Sequence, residues 1–133
     1  MELKHTWIID DDAIFTFTVK KILEHNKLAN NIEVFTNGQA AKIQLDKNIE
    51  NNIKLPDVIL LDINMPILDG WQFMNYFSRL KERKEIMVYL ISSSIDPRDK
   101  EKAKLYKDIR AFVVKPVTLK ALTELMSNSK SPV

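Results

Sequence analysis

The most informative stretch of the chain is residues 57–70, which read DVILLDINMPILDG. It contains an uninterrupted aliphatic run at residues 58–61, with Pro56 before it and Pro66 after it. Such a run predicts a strand that is buried on both faces, as in the centre of a parallel sheet. The run ends at Asp62, and a carboxylate at the end of an apolar strand is costly unless it is paired, hydrated or bound to a metal. A lone Asp in this position is most often a helix cap or turn residue, so a functional role for Asp62 requires partners elsewhere in the chain.

Four more apolar runs predict strands, and helical patterns separate them along the chain. The predicted strands cover residues 6–9, 32–35, 86–91 and 111–114. The predicted helices cover residues 13–26, 38 to about 45, 70–80, 98–107 and 118–126. Strands that alternate with helices and short turns form parallel βαβ units with right-handed crossovers. The pattern therefore predicts an α/β domain built on one parallel sheet.

Four of the five predicted strands end in charged or hydroxyl side chains. These side chains are Asp10 and Asp11, Asp62, Ser92 and Lys115. Ligands of open parallel sheets bind outside the carboxyl ends of the strands, which share one edge. Carboxylates a few ångströms apart raise one another's pKa, so three of them at one edge indicate a bound cation. Oxygen ligands without Cys or His indicate a hard ion, and a few carboxylates with room for water favour Mg²⁺ over Ca²⁺.

The composition describes one ordinary globular domain. The chain has 133 residues, a formal net charge of +2 and no cysteine. The absence of Cys excludes disulfides, thiolate metal sites and Cys nucleophiles, and the small charge gives little reason to expect direct nucleic-acid binding. No apolar run is as long as a membrane span and the N-terminus lacks the apolar core of a signal peptide, so we expect a cytoplasmic protein. We treat residues 1–133 as a single domain with a polar tail from about residue 127.

Several motifs follow one another in a fixed order along the chain. They are the acid pair Asp10-Asp11, Asp62 with its following residues 63–66 and Asp69-Gly70, then Ser92, then Lys115-Pro116. Each motif is weak alone, but the ordered set is highly specific and strongly resembles the receiver domain of two-component response regulators. The resemblance covers nearly the whole chain. It implies a flavodoxin-like, doubly wound, five-stranded parallel sheet in the order 2-1-3-4-5 with five helices. It also implies a stand-alone switch similar to the chemotaxis response regulators.

The resemblance assigns roles to the residues at the sheet edge. It implies that Asp62 accepts a phosphoryl group from a phosphohistidine, and that Lys115 and Ser92 contact this group. It also implies that Asp11 and Asp62 coordinate Mg²⁺, that Asp10 acts on the ion largely through water, and that Asn64 contributes its main-chain carbonyl. Phosphoryl transfer is helped mainly by positioning and charge stabilisation, which a cation and an ammonium group would both supply.

The resemblance also implies a switch and an unusual peptide bond. When Ser92 moves to the phosphoryl group, an aromatic residue on the fifth strand turns inward, and Phe112 occupies that position. The alternative is that Phe112 is a permanently buried core residue, because Phe lacks the hydroxyl group that would favour an outward position. The bond between Lys115 and Pro116 is expected to be cis, since X-Pro bonds have only a small trans preference.

The first predicted helix suggests where a partner binds. Phe15, Val19 and Ile22 form one stripe, which we expect to cover the sheet, whereas Ile14 and Phe17 fall on a different side. Two exposed apolar residues beside the acid pair predict a docking surface for the phosphodonor, a histidine kinase or histidine phosphotransfer protein. The alternative is scattered surface hydrophobes or burial under a loop. We also expect a downstream protein target and no membrane insertion.

Two other functions remain open at this stage. The run 10–12 also contains the Asp-x-Asp that follows the first strand of haloacid-dehalogenase-type phosphatases. Those enzymes need a further acidic pair after the lysine, and nothing acidic follows Lys115 until Glu124. The second alternative is a phosphorylation-independent binding module on the same fold, although such modules usually lack one of the site residues that this chain has. We therefore expect a phosphoacceptor switch and not an enzyme that turns over a substrate.

Overall fold

The structure is a computed structural model that describes residues 4–127, in which five strands alternate with five α-helices. The strands are β1 (Lys4–Ile9), β2 (Ala29–Phe35), β3 (Val58–Leu61), β4 (Met87–Ser92) and β5 (Ile109–Val114). The α-helices are α1 (Ala13–His25), α2 (Gly38–Glu50), α3 (Gly70–Phe77), α4 (Pro97–Ala103) and α5 (Leu119–Ser127). A short 3₁₀ helix, Lys81–Glu85, precedes β4.

The five strands form one sheet in the order β2-β1-β3-β4-β5, and every neighbouring pair is parallel. The predicted flavodoxin-like order is therefore confirmed. The aliphatic strand β3 lies in the centre, where Val58 pairs with Thr6 of β1 and with Met87 of β4. All four residues of β3 are buried, as expected for a strand with helices on both faces.

The side chains of β3 alternate between two apolar layers. Ile59 and Leu61 join a cluster with Phe73 and Phe77 of α3. Val58 and Leu60 join a second cluster, whose helical members come from α1 and α5 and include Val19, Leu122 and Leu125. A fully buried Phe or Leu side chain contributes about 1.5–3 kcal/mol through the hydrophobic effect. The two layers therefore hold the sheet from both sides and leave its carboxyl edge free for polar residues.

Short polar residues cap the starts of the helices. Asp12 caps α1 by accepting a hydrogen bond from a first-turn N–H at 3.0 Å. Asp69 forms a capping box on α3 with Gln72, and Asp96 caps α4 with Pro97 at its first turn. Each such cap is worth about 1 kcal/mol. The caps place the start of each helix beside the carboxyl edge of the sheet.

The buried stripe of α1 differs from the predicted one. Thr16, Val19 and Leu23 are buried, while Phe15 and Ile22 are only partly buried at the sides of this stripe. The helical period places residues three and four apart on one face, and Thr16 occupies the centre of that face because its hydroxyl group bonds back to its own helix at 3.1 Å. The polarity of Thr16 hid it in the sequence pattern.

Several element boundaries also differ from the prediction. Strands β2 and β5 begin earlier than expected, and α2 continues to Glu50. Helix α4 ends at Ala103, because Leu105 and Tyr106 make i→i+3 backbone bonds of a tightened turn. No helix within residues 4–127 is long and apolar enough to cross a membrane. Most of the predicted polar tail, from residue 128 onward, lies outside the described residues.

Candidate functional site

Asp62 lies directly after β3 and is only 6% exposed. Its backbone N–H donates to the carbonyl of Ile9 at 2.9 Å, and its Oδ1 accepts a hydrogen bond from the N–H of Ile63 at 2.8 Å. Helix α3 begins against this residue, since a Cβ on Gly70 would come 2.3 Å from the Asp62 carbonyl oxygen. The backbone that carries the Asp62 carboxylate is therefore held in place at the centre of the carboxyl edge of the sheet.

The loop between Asp62 and α3 is held from a second side by α2. The N–H of Gly38 donates to the carbonyl of Leu68 at 2.9 Å, and a Cβ on Gly38 would approach that oxygen to 2.6 Å. Between these contacts Leu68 N–H also donates to the carbonyl of Pro66 at 2.7 Å, which makes a γ-turn around Ile67. The glycines at both helix starts thus let the loop pack closely.

Asp10 and Asp11 join Asp62 at the same edge. One carboxylate oxygen from each of the three residues lies within 4.8 Å of the others. Asp10 is 2% exposed, and its Oδ1 accepts from the N–H of Asp12 at 2.9 Å, whereas Asp11 is exposed. Oxygen donors at this spacing can hold one hard divalent cation. The structure thus brings together the three acidic residues that the sequence singled out.

Lys115 brings the opposite charge into the cluster. Its Nζ lies 2.8 Å from Asp10 Oδ2 and 3.8 Å from Asp62 Oδ2. It also lies 4.2 Å from the centre of the Phe15 ring, a cation–π contact. The predicted cis bond between Lys115 and Pro116 is confirmed. The Lys115 backbone N–H donates to the Ser92 carbonyl at 2.9 Å, which fixes this turn to the end of β4.

Burial controls the ionisation of the two inner carboxylates. The pKa of Asp62 is raised to about 6, mainly by burial and next by the charge of Asp10, while Lys115 and hydrogen bonds from Ile63 and Ser92 oppose the shift. Burial also raises the pKa of Asp10, against the hydrogen bond from Lys115. Two buried carboxylates thus share one ammonium group, and the charged form of the pair is costly.

The hydroxyl-bearing and aromatic candidates lie on neighbouring strands. Ser92 is fully buried at the end of β4, where its side chain favours the charged form of Asp62 and its Oγ accepts a hydrogen bond from the N–H of Ser94 at 3.2 Å. Phe112 lies on β5 opposite Leu90 and is partly buried against the α3 side of the core. It is neither fully buried nor fully exposed, and its switching role stays a prediction.

The remaining candidates lie on the surface around the site. Asn64 is exposed two residues after Asp62, and the role of its carbonyl stays a prediction. Ile14 and Phe17 are 81% and 63% exposed, as the sequence indicated, and Lys21 Nζ lies 5.5 Å from the Phe17 ring. Their docking role also stays a prediction.

Two features of the site were not found by sequence reasoning. The contact of Phe15 with Lys115 joins residues a hundred positions apart, and the sequence pattern had placed Phe15 on the sheet face. Ile67 has a φ of 70° and is 75% exposed. Nothing in the sequence indicates this conformation, because β-branched residues rarely adopt it.

The comparison with known proteins agrees with this geometry. A sequence model described as the response regulator receiver domain matches residues 6–127, and the chain therefore belongs to the response regulator receiver family. A two-component response regulator from Cytophaga hutchinsonii, solved by crystallography, has a TM-score of 0.80 and 34% identity over 90% of this chain and 91% of that one. The predicted function is confirmed at this level: the chain is a phosphoacceptor receiver of a two-component system. The phosphatase and the phosphorylation-independent module are not favoured.

Two curated relatives are much larger proteins. The chain is 38% identical over 66 residues to a protein-glutamate methylesterase/protein-glutamine glutaminase of Methanococcoides burtonii, covering 49% of this chain and 17% of that protein. It is 25% identical over 121 residues to the sensor histidine kinase CheAY of Helicobacter pylori, covering 91% of this chain and 14% of that protein. The chain thus spans less than a fifth of either relative.

Proposed function

We propose that Asp62 is the phosphoacceptor, that a histidine kinase or histidine phosphotransfer protein is its donor, and that the reaction requires Mg²⁺. The observation that carries this proposal is the position of Asp62, which lies centrally on the sheet edge within reach of both Lys115 and the acid pair. The relative whose name includes a sensor histidine kinase supports the class of donor.

The two oxygens of Asp62 have different surroundings, which suggests which of them reacts. Oδ1 accepts the N–H of Ile63 at 2.8 Å, whereas Oδ2 faces the ammonium group of Lys115 at 3.8 Å. In the proposed step Oδ2 attacks phosphorus and forms an acyl phosphate. The bond from phosphorus to the donor imidazole nitrogen breaks and its electron pair returns to the ring, which leaves as neutral imidazole when its other nitrogen carries a proton. Lys115 then offsets charge on the phosphoryl oxygens.

The donor set fits a divalent cation. Three carboxylates and one ammonium group leave two negative charges at a largely buried edge, and a dication would neutralise them. Asp10, Asp11, Asp62 and the main-chain carbonyl of Asn64 would hold Mg²⁺. When bound, the cation supplies charge stabilisation for the phosphoryl oxygens. An all-oxygen site with an exposed member, Asp11, leaves room for the water ligands that Mg²⁺ retains.

The output is a change in protein contacts and not turnover of a substrate. The proposal is that Ser92 moves toward the phosphoryl group, that Phe112 follows by turning inward, and that the altered surface binds a downstream protein. One chain then accepts one phosphoryl group and loses it slowly by hydrolysis. The methylesterase name of one relative belongs to a protein of which this chain spans 17%.

Mass spectrometry of the intact chain tests the phosphoacceptor. Incubation with Mg²⁺ and acetyl phosphate should add one phosphoryl group, and a chelator should prevent the addition, because uncompensated carboxylates repel the phosphate. Asp62→Asn should abolish the addition. The matched control is Asp69→Asn, since Asn also caps a helix and residue 69 is outside the acidic cluster. Labelling of Asp62→Asn at the wild-type rate would refute the assignment.

The docking part of the proposal rests on the exposure of Ile14 and Phe17 and on a groove beside the site that Ile14 lines. An open groove of about 390 Å³ lies between α1 and the Lys115-Pro116 turn, and its apolar lining includes Ile14, Phe15 and Val117. Lys115 lines the same groove, so a partner seated there reaches the reacting residues. We propose that the helix which carries the donor phosphohistidine packs on Ile14 and Phe17 while its imidazole points to Asp62.

A further inference from the structure

A chain of hydrogen bonds leads from the phosphorylation site to helix α3. The N–H of Ser94 donates to Ser92 Oγ at 3.2 Å, and the Ser94 hydroxyl group donates to Asp99 Oδ2. The other oxygen of Asp99, Oδ1, accepts the indole Nε1–H of Trp71 at 3.3 Å. Asp99 lies in α4 and Trp71 in α3, so one carboxylate joins the loop after β4 to two helices.

Trp71, at the α3 end of this chain of hydrogen bonds, is firmly packed. Trp71 is 9% exposed and stacks on Tyr106 with ring centres 5.8 Å apart. Lys102 Nζ lies 4.9 Å from the Trp71 ring, and the Tyr106 hydroxyl group donates to Asn75 Oδ1 at 2.7 Å. A displaced Asp99 would therefore take a hydrogen-bond acceptor away from an indole that is itself held in place.

At the end beside the phosphorylation site, the chain of hydrogen bonds orients the hydroxyl group of Ser92. A serine hydroxyl has one proton to donate and two lone pairs to accept with. The N–H of Ser94 occupies one lone pair of Ser92, which leaves the Ser92 proton free to be donated toward the neighbouring carboxylate of Asp62, whose pKa the Ser92 side chain lowers. Ser94 can hold this position because its own side chain is tied to Asp99.

We propose that Asp99 is a positioning residue for Ser92, and that its bond to Trp71 reports the movement of Ser92 to helix α3. This rests on the proposed role of Ser92 in binding the phosphoryl group. When Ser92 moves toward that group, the backbone of Ser94 follows, the Ser94 hydroxyl group shifts on Asp99, and the indole of Trp71 loses or changes its partner.

A purely structural role for Asp99 makes a different prediction. An acidic residue in the first turn of a helix is favoured by the helix dipole, and replacing it would change stability alone. Asp96 provides the comparison, since it caps the same helix and its Oδ1 accepts a hydrogen bond from the backbone N–H of Arg98 at 2.9 Å. A structural role would make Asp99→Ala and Asp96→Asn similar in every assay except stability.

The indole N–H signals in ¹H–¹⁵N NMR separate these possibilities. The chain has two tryptophans, and Trp71→Phe assigns their signals. Trp7 bonds Glu33 and serves as the internal control. After phosphorylation with Mg²⁺ and acetyl phosphate, we expect the Trp71 signal to shift and the Trp7 signal to stay. Asp99→Ala, which removes both hydrogen-bonding oxygens, should abolish the shift and slow phosphorylation about fivefold, the effect of one hydrogen bond, while Asp96→Asn keeps both at the wild-type values.

Ser94→Ala gives a second test that leaves the residues of α4 and the Asp96 side-chain cap in place. It removes the bond to Asp99 and the 3.3 Å hydrogen bond from the N–H of Asp96, and it should also abolish the phosphorylation-dependent shift, even if Asp99→Ala does not fold. A wild-type chain that gains a phosphoryl group without any Trp71 shift would overturn the relay and leave the proposed function standing. A wild-type chain that gains none would overturn both. A shift that survives in Ser94→Ala, or one that Asp96→Asn also abolishes, would likewise overturn the relay.

Discussion

The ammonium group of Lys115 lies 1.0 Å nearer to Asp10 than to Asp62, at 2.8 Å against 3.8 Å. The lysine that faces Asp62, the proposed phosphoacceptor, therefore makes its closer ion pair with Asp10 in this structure. A phosphoryl group on Asp62 would add negative charge on the side of Oδ2, where Lys115 can reach it. The pairing thus keeps a cation close to Asp62 Oδ2, the proposed attacking oxygen, while its closest contact is with Asp10.

The first prediction concerns the loss of that cation. Lys115→Ala should slow phosphorylation by acetyl phosphate at least about tenfold, since a charge-assisted hydrogen bond is worth about 1.5–3 kcal/mol. Intact mass measured against time gives the rate. Lys120→Ala, an exposed lysine on α5, is the control and should react at the wild-type rate. An unchanged rate in Lys115→Ala, with the fold intact by circular dichroism, would contradict the role of Lys115.

The second prediction uses the raised pKa of Asp62, about 6 in the folded protein against 3.8 as the reference value. The folded state then binds more protons than the unfolded state between about pH 4 and 6, so the free energy of unfolding falls as pH rises through this window. Asp62→Asn removes this loss. The variant should be more stable than wild type by about 3 kcal/mol at pH 7.5 and nearly equally stable near pH 4.

Urea unfolding at several pH values, without divalent cations, measures this difference. Asp69→Asn is the control for the exchange of a carboxylate for an amide. Saturating Mg²⁺ should reduce the advantage of Asp62→Asn, because a cation that binds only the native site of wild type stabilises it. A variant advantage that is as large at pH 4 as at pH 7.5 would show that the pKa shift is not its source.

The third prediction concerns the backbone at Ile67, which has a φ of 70°. This region costs a non-glycine residue about 1–2 kcal/mol, and the side chain is 75% exposed, so its removal forfeits little burial. Ile67→Gly should therefore relieve about 1 kcal/mol of backbone strain. The free energy of unfolding should rise by this amount minus the entropic cost of the glycine, which makes the unfolded chain more flexible.

Ile95 offers a matched control for that substitution. It is 86% exposed and does not have a positive φ, so Ile95→Gly should leave stability unchanged or lower it. Urea unfolding of both variants gives the comparison. If the two substitutions change stability equally, the backbone at residue 67 carries no strain.

The parallel sheet explains why so much of the site could be predicted. Asp10, Asp62 and Lys115 are far apart in sequence, but each follows a strand, and parallel strands bring their carboxyl ends to one edge. The end of β3 could also be predicted, because an aliphatic run that stops at a charged residue is typical of a buried central strand. Periodicity and the parallel pairing of the strands therefore placed these residues without any knowledge of side-chain contacts.

The relay through Asp99 could not be predicted in this way. Its bonds to Ser94 and Trp71 depend on how α4 sits against α3, and the early end of α4 is coupled to the stacking of Tyr106 on Trp71. A mostly charged helix such as α4 has no apolar stripe that would fix its rotation. Sequence patterns predict which face of a helix or strand is buried when that face is apolar. They do not predict polar contacts between helices.

The last prediction separates docking from chemistry. Ile14 and Phe17 are 81% and 63% exposed on α1, and neither contributes to the acidic cluster. Replacing both with Ser should slow phosphotransfer from a cognate histidine kinase or phosphotransfer protein severalfold or more, because apolar contact area with the donor helix is lost. Labelling by acetyl phosphate should stay nearly unchanged, since the small donor needs no docking surface.

Ile43→Ser is the matched control, because Ile43 is a 45% exposed isoleucine on α2. It should leave transfer from both donors at the wild-type rate. Equal slowing with the protein donor and with acetyl phosphate would mean that Ile14 and Phe17 support the fold or the site instead of the partner. No slowing with either donor would mean that the donor helix packs on another face, and the groove beside Lys115 would then need a different occupant.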